Sequence, residues 1–563
     1  MAENTSRNHG LRHDAESSRL ADEPRSRVFA VLVAIVLLTE VAPLQAGLIT
    51  FIVPKIAATF PQVGSSVSWA VSIVGVVGGA TTVLLGKLGD LWGKKRVLLV
   101  SGVIFVVGVV LSAAASTWAL FLVGRGLQAT SFGMAALSFG LVRDTLPRSW
   151  IPLSIGLIGT GVGVAGIIAP LVGGALADHF GWRSIFWFLA IYMAVVTVIF
   201  AGVAPETRIR VRERLDLVAA VLIAAGVTGV LLYLSQGAIW GWTAGSSLTC
   251  LIGGVAVLGL FCIWETRVAE PMMNLRLLRS PQVALVILIG FFVTGAISVY
   301  GYVLAYMFET DGDKVKGAVL ANAAQRAHAP VDAISRVITF RGDLGYAHGY
   351  SILELGVRVT IWSALLGMLT GPVAGAWARR VGSRLPLLVG AVGITIGSVL
   401  LVPWHTTWPE QLLIGLMSSG IGYGLFHAAN PNLIIDAVPP EQQGVMAGMN
   451  AVVSALGSST AIAATGSVLA SHPFQTVAAL PTGGHIVTDI PQVYTAQGFT
   501  AAYLYLMVPC GVIALVLTVL MRAGRTPARG GAPAVPAVAG GPLPSAAAAI
   551  VRPPAAPAPA SES

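Results

Sequence analysis

Gly86-Lys87-Leu88-Gly89-Asp90-Leu91-Trp92-Gly93-Lys94-Lys95-Arg96 decides how this chain is read. The stretches on either side of it, 66–86 and 97–115, are apolar and close to the roughly 20 residues that a helix needs to cross the hydrocarbon of a bilayer. Between them stand two glycines, an acid and a run of three cations, with a third glycine, Gly86, closing the first stretch. Glycine allows a tight turn and close helix approach, an acid can meet a helix end or an arginine, and clustered cations mark a cytoplasmic face.

The pattern of this loop recurs along the chain. Fourteen apolar stretches qualify as spans: 28–53, 66–86, 97–115, 118–141, 151–176, 184–203, 216–235, 247–264, 281–307, 351–376, 385–402, 411–435, 444–470 and 498–521. Alternate loops carry the basic residues: Lys94 to Arg96, Arg143 and Arg148, Arg208 to Arg214, Arg267 to Arg279, Arg379 to Arg384, and Arg522 with Arg525. Both termini are therefore expected on the cytoplasmic side. The first span follows 27 polar residues without a small-residue cleavage site, so it is expected to stay in the chain.

Composition agrees. Charged residues make up 10% of the 563 and hydrophobic ones 55%, with mean hydropathy +0.80, which no aqueous fold of this size could bury. The net charge of +9 sits at span ends, which excludes a nucleic-acid patch as its explanation. Cys250, Cys262 and Cys510 lie inside apolar runs, where packing explains them better than a disulfide or a metal site. There is no phosphate-binding Gly-Lys-Ser/Thr loop for ATP, no metal-ligand cluster and no nucleophile–base signature, so no cofactor is expected and an enzyme is not.

Gly375-Ala-Trp-Ala-Arg379-Arg380-Val-Gly382-Ser-Arg384 repeats the opening motif: its glycines are seven apart, as Gly86 and Gly93 are, and basic residues follow. Arg379 stands where the first copy has Asp90. Two related halves are implied. The expected organisation is a disordered cytoplasmic segment 1–27, a six-helix bundle 28–207, two linker helices in 208–280 and a second bundle 281–522. An outer insert, 308–350, interrupts the second bundle, and a disordered Ala/Pro-rich tail, 523–563, ends the chain. Within the insert, 317–338 has helical composition broken at Pro330, which predicts a short helix pair.

These motifs resemble those of the major facilitator superfamily, and of its 14-helix drug:proton antiporter branch in particular. The resemblance implies an all-α fold of two six-helix bundles plus two helices. It makes Gly86, Gly89, Asp90, Gly93, Lys94, Lys95 and Arg96 a conformational motif. In 151–176, Gly156, Pro170, Gly173 and Gly174 match the antiporter motif of drug exporters, while two of its glycines are Ala165 and Ala169 here. Weaker matches are Leu234 to Trp242 and Glu265 to Pro271. Arg125, in Gly124-Arg125-Gly126-Leu127-Gln128, stands where proton-coupled members carry an arginine. That branch often has an Asp nine residues before the Pro ending its first span, and Gln45 stands there.

The acid of the first span is Glu40. At 100° per residue it shares a face about 80° wide with Pro43, Gly47, Thr50 and Pro54, and Gln45 lies about 140° from it. An intramembrane carboxylate is a functional candidate, and an apolar setting favours its protonated form. Glu40 and Arg125 are thus the proton-coupling candidates. Gln45, Thr50, Gln128, His427 and Asn430 are candidates for the substrate path, and Glu354 and Arg358 are spaced to satisfy each other.

The expected function is export of hydrophobic, often cationic small molecules in exchange for protons, by a monomer in a bacterial cytoplasmic membrane. Substrate and lipid bilayer are the expected partners, without nucleic acid or ATP. The rival readings are a carrier of an endogenous metabolite, lipid or nutrient, and a transport-inactive sensor. Reporter fusions should read cytoplasmic at residues 210 and 380 and external at 325; a cytoplasmic signal at 325 would overturn the topology.

Overall fold

The computed structural model describes residue 20, residues 23–147, 150–207, 216–268, 275–437, 443–479, 484–522 and residue 524. Most of 1–27 and 523–563, together with Arg148 and Arg208 to Arg214, lies outside the described residues. So do the side chains of Asp90, Arg143, Arg276 and Arg379 and the surroundings of Gly156.

The first half is built of α1 (Arg25–Thr59), α2 (Trp69–Trp92), α3 (Lys94–Ala114), α4 (Trp118–Gln128), α5 (Thr130–Thr145), α6 (Ile151–Phe180) and α7 (Arg183–Val203), with α4 and α5 joined end to end at Ala129. A linker pair follows, α8 (Leu217–Trp240) and α9 (Gly245–Arg267). The second half opens with α10 (Pro281–Glu309) and a short insert of α11 (Gly312–Ala327), α12 (Val331–Val337) and β1 (Ile338–Arg341). It continues through α13 (Ile352–Leu355), α14 (Ile361–Val381), α15 (Arg384–Leu400), α16 (Trp408–Gly415), α17 (Gly424–Ala437) and α18 (Gln443–Ala470). After β2 (Pro473–Ala479) and β3 (His485–Tyr494), it closes on α19 (Ala496–Ala502) and α20 (Val508–Leu520). Single π-type turns join α13 to α14, α16 to α17 and α19 to α20.

Among the described residues, twelve helices are long and apolar enough to cross a membrane, which makes this a multi-pass membrane protein. Two further apolar helices lie outside those twelve: α2, 24 residues long, and α15, 17 residues long. The expected count of fourteen requires both to cross. The 17 residues of α15 reach about 26 Å, a little less than the hydrocarbon thickness. A count beyond twelve is therefore a proposal.

One end of the molecule carries Lys94; the other carries the insert. At the insert end Pro330 starts α12, so the expected helix pair is present, and Asp311 caps α11 by accepting from the Lys314 N–H at 3.0 Å. That bond holds the Asp311 carboxyl below the ordinary carboxylate range. The insert does not stand alone. Strand β1 pairs antiparallel with β2, and β2 with β3, so a hairpin from the segment before α19 completes a three-stranded sheet. At Gln492, where φ is +61°, the hairpin turns toward the first half. There the Gln492 Nε2 donates to the Gly64 carbonyl at 2.7 Å while its Oε1 accepts from the Tyr306 hydroxyl at 3.2 Å.

At the Lys94 end the opening motif is an anchored turn. Gly93 has φ +102°, a conformation L side chains rarely adopt, and a Cβ there would lie 2.6 Å from the Glu206 Oε1. The Glu206 carboxylate accepts from the N–H groups of Lys95 at 3.1 Å and Arg96 at 3.2 Å, while the Thr207 hydroxyl accepts from the Lys94 N–H at 3.2 Å. An anion thus caps the N-terminus of α3, where the helix dipole favours it. The Lys94 ammonium donates to Asp144 at 2.6 Å, tying α3 to α5. The second copy is built alike: Gly382 has φ +89°, and Arg384 bonds the carbonyls of Val519 at 2.7 Å and Gly524 at 3.0 Å. Each motif clasps the end of the last helix of its own half.

Gly93→Ala should therefore destabilise the protein by about 1–3 kcal/mol through backbone strain, with added crowding of Glu206. A thermal melt in detergent is expected to shift down, whereas Gly86→Ala, with nothing within 4 Å of its Cβ position, should leave it unchanged. Equal melting of the two variants would count against the anchored turn.

Candidate functional site

Arg125 lies inside the first half, 1% exposed, and its partners come from α1, α2 and its own helix. Its Nε donates to the Ala70 carbonyl on α2 at 2.7 Å, and its Nη1 donates to the Gln45 Oε1 on α1 at 3.3 Å and to the Gln128 Oε1 at 2.5 Å. Gln45 in turn donates to the Ser131 hydroxyl at 2.5 Å, and Gln128 to the Ser112 hydroxyl on α3 at 2.9 Å. Three of the sequence candidates, Gln45, Arg125 and Gln128, thus form one buried network. These oxygens are neutral, and each bond they accept from the cation contributes about 1.5–3 kcal/mol. An Asp at 45 would place a carboxylate here; with Gln the guanidinium is held by dipoles.

Glu40 is not in that network. Glu40, Pro43, Gly47, Thr50 and Pro54 are all half-buried, while Thr39, Val41, Leu44, Gln45, Leu48, Ile49, Ile52 and Val53 are buried. The five residues form the stripe that helical periodicity predicts. It meets α6, for a Cβ at Gly47 would lie 2.9 Å from the Ala169 Cβ. Glu40 Oε2 is buried with no hydrogen-bond partner, and the Tyr192 hydroxyl nearby on α7 donates to the Leu37 carbonyl at 2.6 Å. Thr50 donates to its own helix at Ala46.

The two halves meet along α2 with α18 and α6 with α13–α14, and α1 also packs against α10. On the first pair the Ser459 hydroxyl donates to the Ser72 carbonyl at 3.1 Å, and Gly75 and Gly79 face Ala455 and Val452. On the second, Gly163 faces Met368, Gly166 faces Ala364, and the α6 backbone at Gly174 comes so near Leu353 that a Cβ would lie 2.5 Å from its nitrogen. Small residues are what permit this approach. The contact faces can be followed toward the Lys94 end in steps of three and four residues: 75, 79, 82, 86 on α2, 455, 452, 448 on α18, and 364, 368, 371, 375 on α14. At Gly86, Gly448, Gly371 and Gly375 a Cβ would meet nothing within 4 Å. Among the described residues, the seam is in contact at the insert end and open at these four glycines toward the Lys94 end.

The antiporter-motif positions now have contacts. Ala165 and Ala169 are buried, Pro170 packs on Gly356, Gly173 on Leu48 and Gly174 on Leu353, so this face of α6 meets both α1 and the opposite half. His427 lies against Tyr423, ring centroids 5.7 Å apart, and Asn430 is buried with its Oδ1 unpartnered. Glu354 and Arg358 pair at 2.6 Å. The linker pair stands beside the seam, where Trp69 donates to Ser235 at 2.9 Å. Sequence reasoning passed over Glu206, Asp144 and a cluster at the insert end formed by Lys55, Asp178 and Glu309. The polar residues closing an otherwise apolar span were the available signal.

The sequence model of the Major Facilitator Superfamily matches residues 35–325 and 331–557. An uncharacterized MFS-type transporter of Mycobacterium tuberculosis is 32% identical over 386 residues, 66% of this chain and 54% of that protein, so the match spans about half of that relative's length. The multidrug resistance protein Stp of the same species is 26% identical over 436 residues, 76% of this chain and 73% of Stp. Among solved structures, a POT family transporter in complex with 5-aminolevulinic acid superposes with a TM-score of 0.57 at 12% identity, covering 90% of this chain and 98% of that one.

The seam contacts are testable with an accessibility probe. In a variant lacking the three native cysteines, Ser72→Cys is buried and should resist an impermeant maleimide. Adding Gly166→Leu, which cannot sit against Ala364, should open the insert end and raise labelling several-fold. Unchanged labelling would show that this contact does not hold the seam.

Proposed function

From the premise that this chain belongs to the major facilitator superfamily of membrane transporters, we propose that it exports hydrophobic or cationic small molecules in exchange for protons. The observation that carries the coupling is Glu40, a half-buried carboxyl near the middle of α1 with one oxygen buried and unpartnered. Its stripe abuts the α6 face that reaches across the seam, so hydration at Glu40 changes as the halves rock. The similarity to a multidrug resistance protein supports a drug-like substrate.

In this mechanism the basic loops face the cytoplasm, as the Lys and Arg asymmetry expects. The parted end is then the cytoplasmic one, and the present geometry is inward-open. A protonated Glu40 is favoured when the stripe is dry; water entering from the cytoplasm lets it ionise and release its proton inward, and substrate enters in its place. Closure at the Lys94 end and opening at the insert end complete the exchange. Arg125, held by Gln45, Gln128 and Ala70, positions α4 against α1 and α2 and keeps the first half rigid during this motion. Asp90 and the rest of its loop support the same change of state.

Glu40→Gln keeps the shape and removes the titration. In proteoliposomes with an imposed pH difference, accumulation of a lipophilic cation such as ethidium should fall at least tenfold, while binding in detergent stays within about threefold. Undiminished accumulation would make Glu40 structural. A wild-type protein that moves none of a panel of drugs, yet moves a metabolite, would replace the substrate class.

A further inference from the structure

The insert end of the seam contains a group that this reading leaves unused. Glu309 closes α10, and both of its carboxyl oxygens are buried without a hydrogen-bond partner. The charged groups acting on it come from the other half: Lys55 at the end of α1 and Asp178 at the end of α6. Those two are already engaged with each other, the Lys55 ammonium donating to the Asp178 Oδ1 at 2.7 Å. The second Asp178 oxygen accepts from the Leu353 N–H of α13 at 3.3 Å, which links the halves directly. The other charged or titratable groups nearby are Glu354, paired with Arg358 at 2.6 Å, Asp311, paired with Lys314 at 2.9 Å, and His348, which lies against Phe308 with ring centroids 6.1 Å apart and bonds the Thr406 carbonyl. On its own helix the titratable neighbour is Tyr306, whose hydroxyl donates to Gln492.

We propose that Glu309 is a second proton-binding site, one that must be protonated for the two halves to close at the insert end. One lysine acts on two carboxyls there, and its ammonium is bonded to Asp178. An ionised carboxylate sealed into that place without a partner is strongly disfavoured, whereas the neutral acid escapes most of the penalty. When the seam parts at this end, water reaches Glu309 and the carboxylate becomes affordable. Closing therefore takes up a proton from the insert side, and opening returns it to the same side. The site transports nothing by itself; it makes acid on that side favour the state seen here. The inference rests on the two-state reading above but not on Glu40, because proton uptake here depends on closure and not on export.

Distance measurement between the two halves tests it without a transport assay. Spin labels replace Phe180, exposed at the end of α6, and Trp404, exposed after α15, in full-length protein free of its native cysteines and held in nanodiscs. Glu40→Gln is included so that the first carboxyl contributes nothing. Lowering the pH from 8 to 5 should convert a long distance into a short one. Adding Glu309→Gln, which stands in for the protonated acid, should keep the distance short at both pH values. Lys55→Gln removes the cation that favours ionisation, so the midpoint should move up by about one pH unit. A Glu309→Gln protein that keeps the pH dependence, or a Lys55→Gln midpoint that does not move, would overturn the proposal. Failure of drug export with these results intact would touch only the substrate reading.

Discussion

Inside hydrocarbon a helix has already satisfied its own backbone, and lipid tails compete equally for its apolar side chains. What can hold two halves of such a protein together is close approach, and close approach is limited by the Cβ atom. The seam follows from that constraint. Gly174 brings the α6 backbone onto Leu353, Gly75 brings α2 onto the Ala455 carbonyl, and Gly166 lets α6 meet Ala364. Such contacts contribute about 0.1–0.2 kcal/mol per atom pair, a total that a bound substrate or proton can tip.

Cohesion within the first half is of another kind. Arg125 joins α4 to α1 and α2, and Gln128 carries the network to Ser112 on α3. Around the turn at Gly93, Glu206 and Thr207 fasten the start of α3 to the segment after α7, and Lys94 fastens it to Asp144. These are bonds to ionised groups or helix ends, fully buried around Arg125 and partly buried around Lys94, and several break together if the helices separate. Firm bundles joined by a thin seam favour motion of whole halves over rearrangement within either one.

The parts of this plan that depend on local spacing were legible in the sequence. The paired Gly-to-Gly steps, the stripe around Glu40 and the helix break at Pro330 each follow from a few adjacent residues. Glu206 was not legible, because its role as the cap of α3 is set by a tertiary approach across more than a hundred residues. The β-hairpin was not legible for a different reason: 471–497 lies between two spans, where hydropathy marks only a connection. Yet Phe474-Gln475-Thr476-Val477 and His485-Ile486-Val487-Thr488 carry the β-branched alternation of strands. Gln45 and Gln128 were read as facing a path; the geometry shows both committed to Arg125, a pairing between helices that no one-helix projection can reveal.

The two proposed carboxyl sites lie on different helices, Glu40 on α1 and Glu309 on α10, and at different heights along the molecule. Glu40 and Lys55, the latter being the α1 member of the insert-end cluster, are fifteen residues apart, or about 22 Å along α1. At an effective dielectric constant near 20, two unit charges at that separation interact by about 0.8 kcal/mol, and a water-filled cavity would screen even this. Direct repulsion or attraction is thus too weak to make one proton site sense the other. The seam has no such limit: when it closes at one end it dries the groups there, and the same rigid motion parts the other end. Communication between Glu40 and Glu309 would then be mechanical, carried by α1 and α6 as they turn against α10 and α13. Its strength would be set by how well the glycine contacts resist an intermediate in which both ends are open.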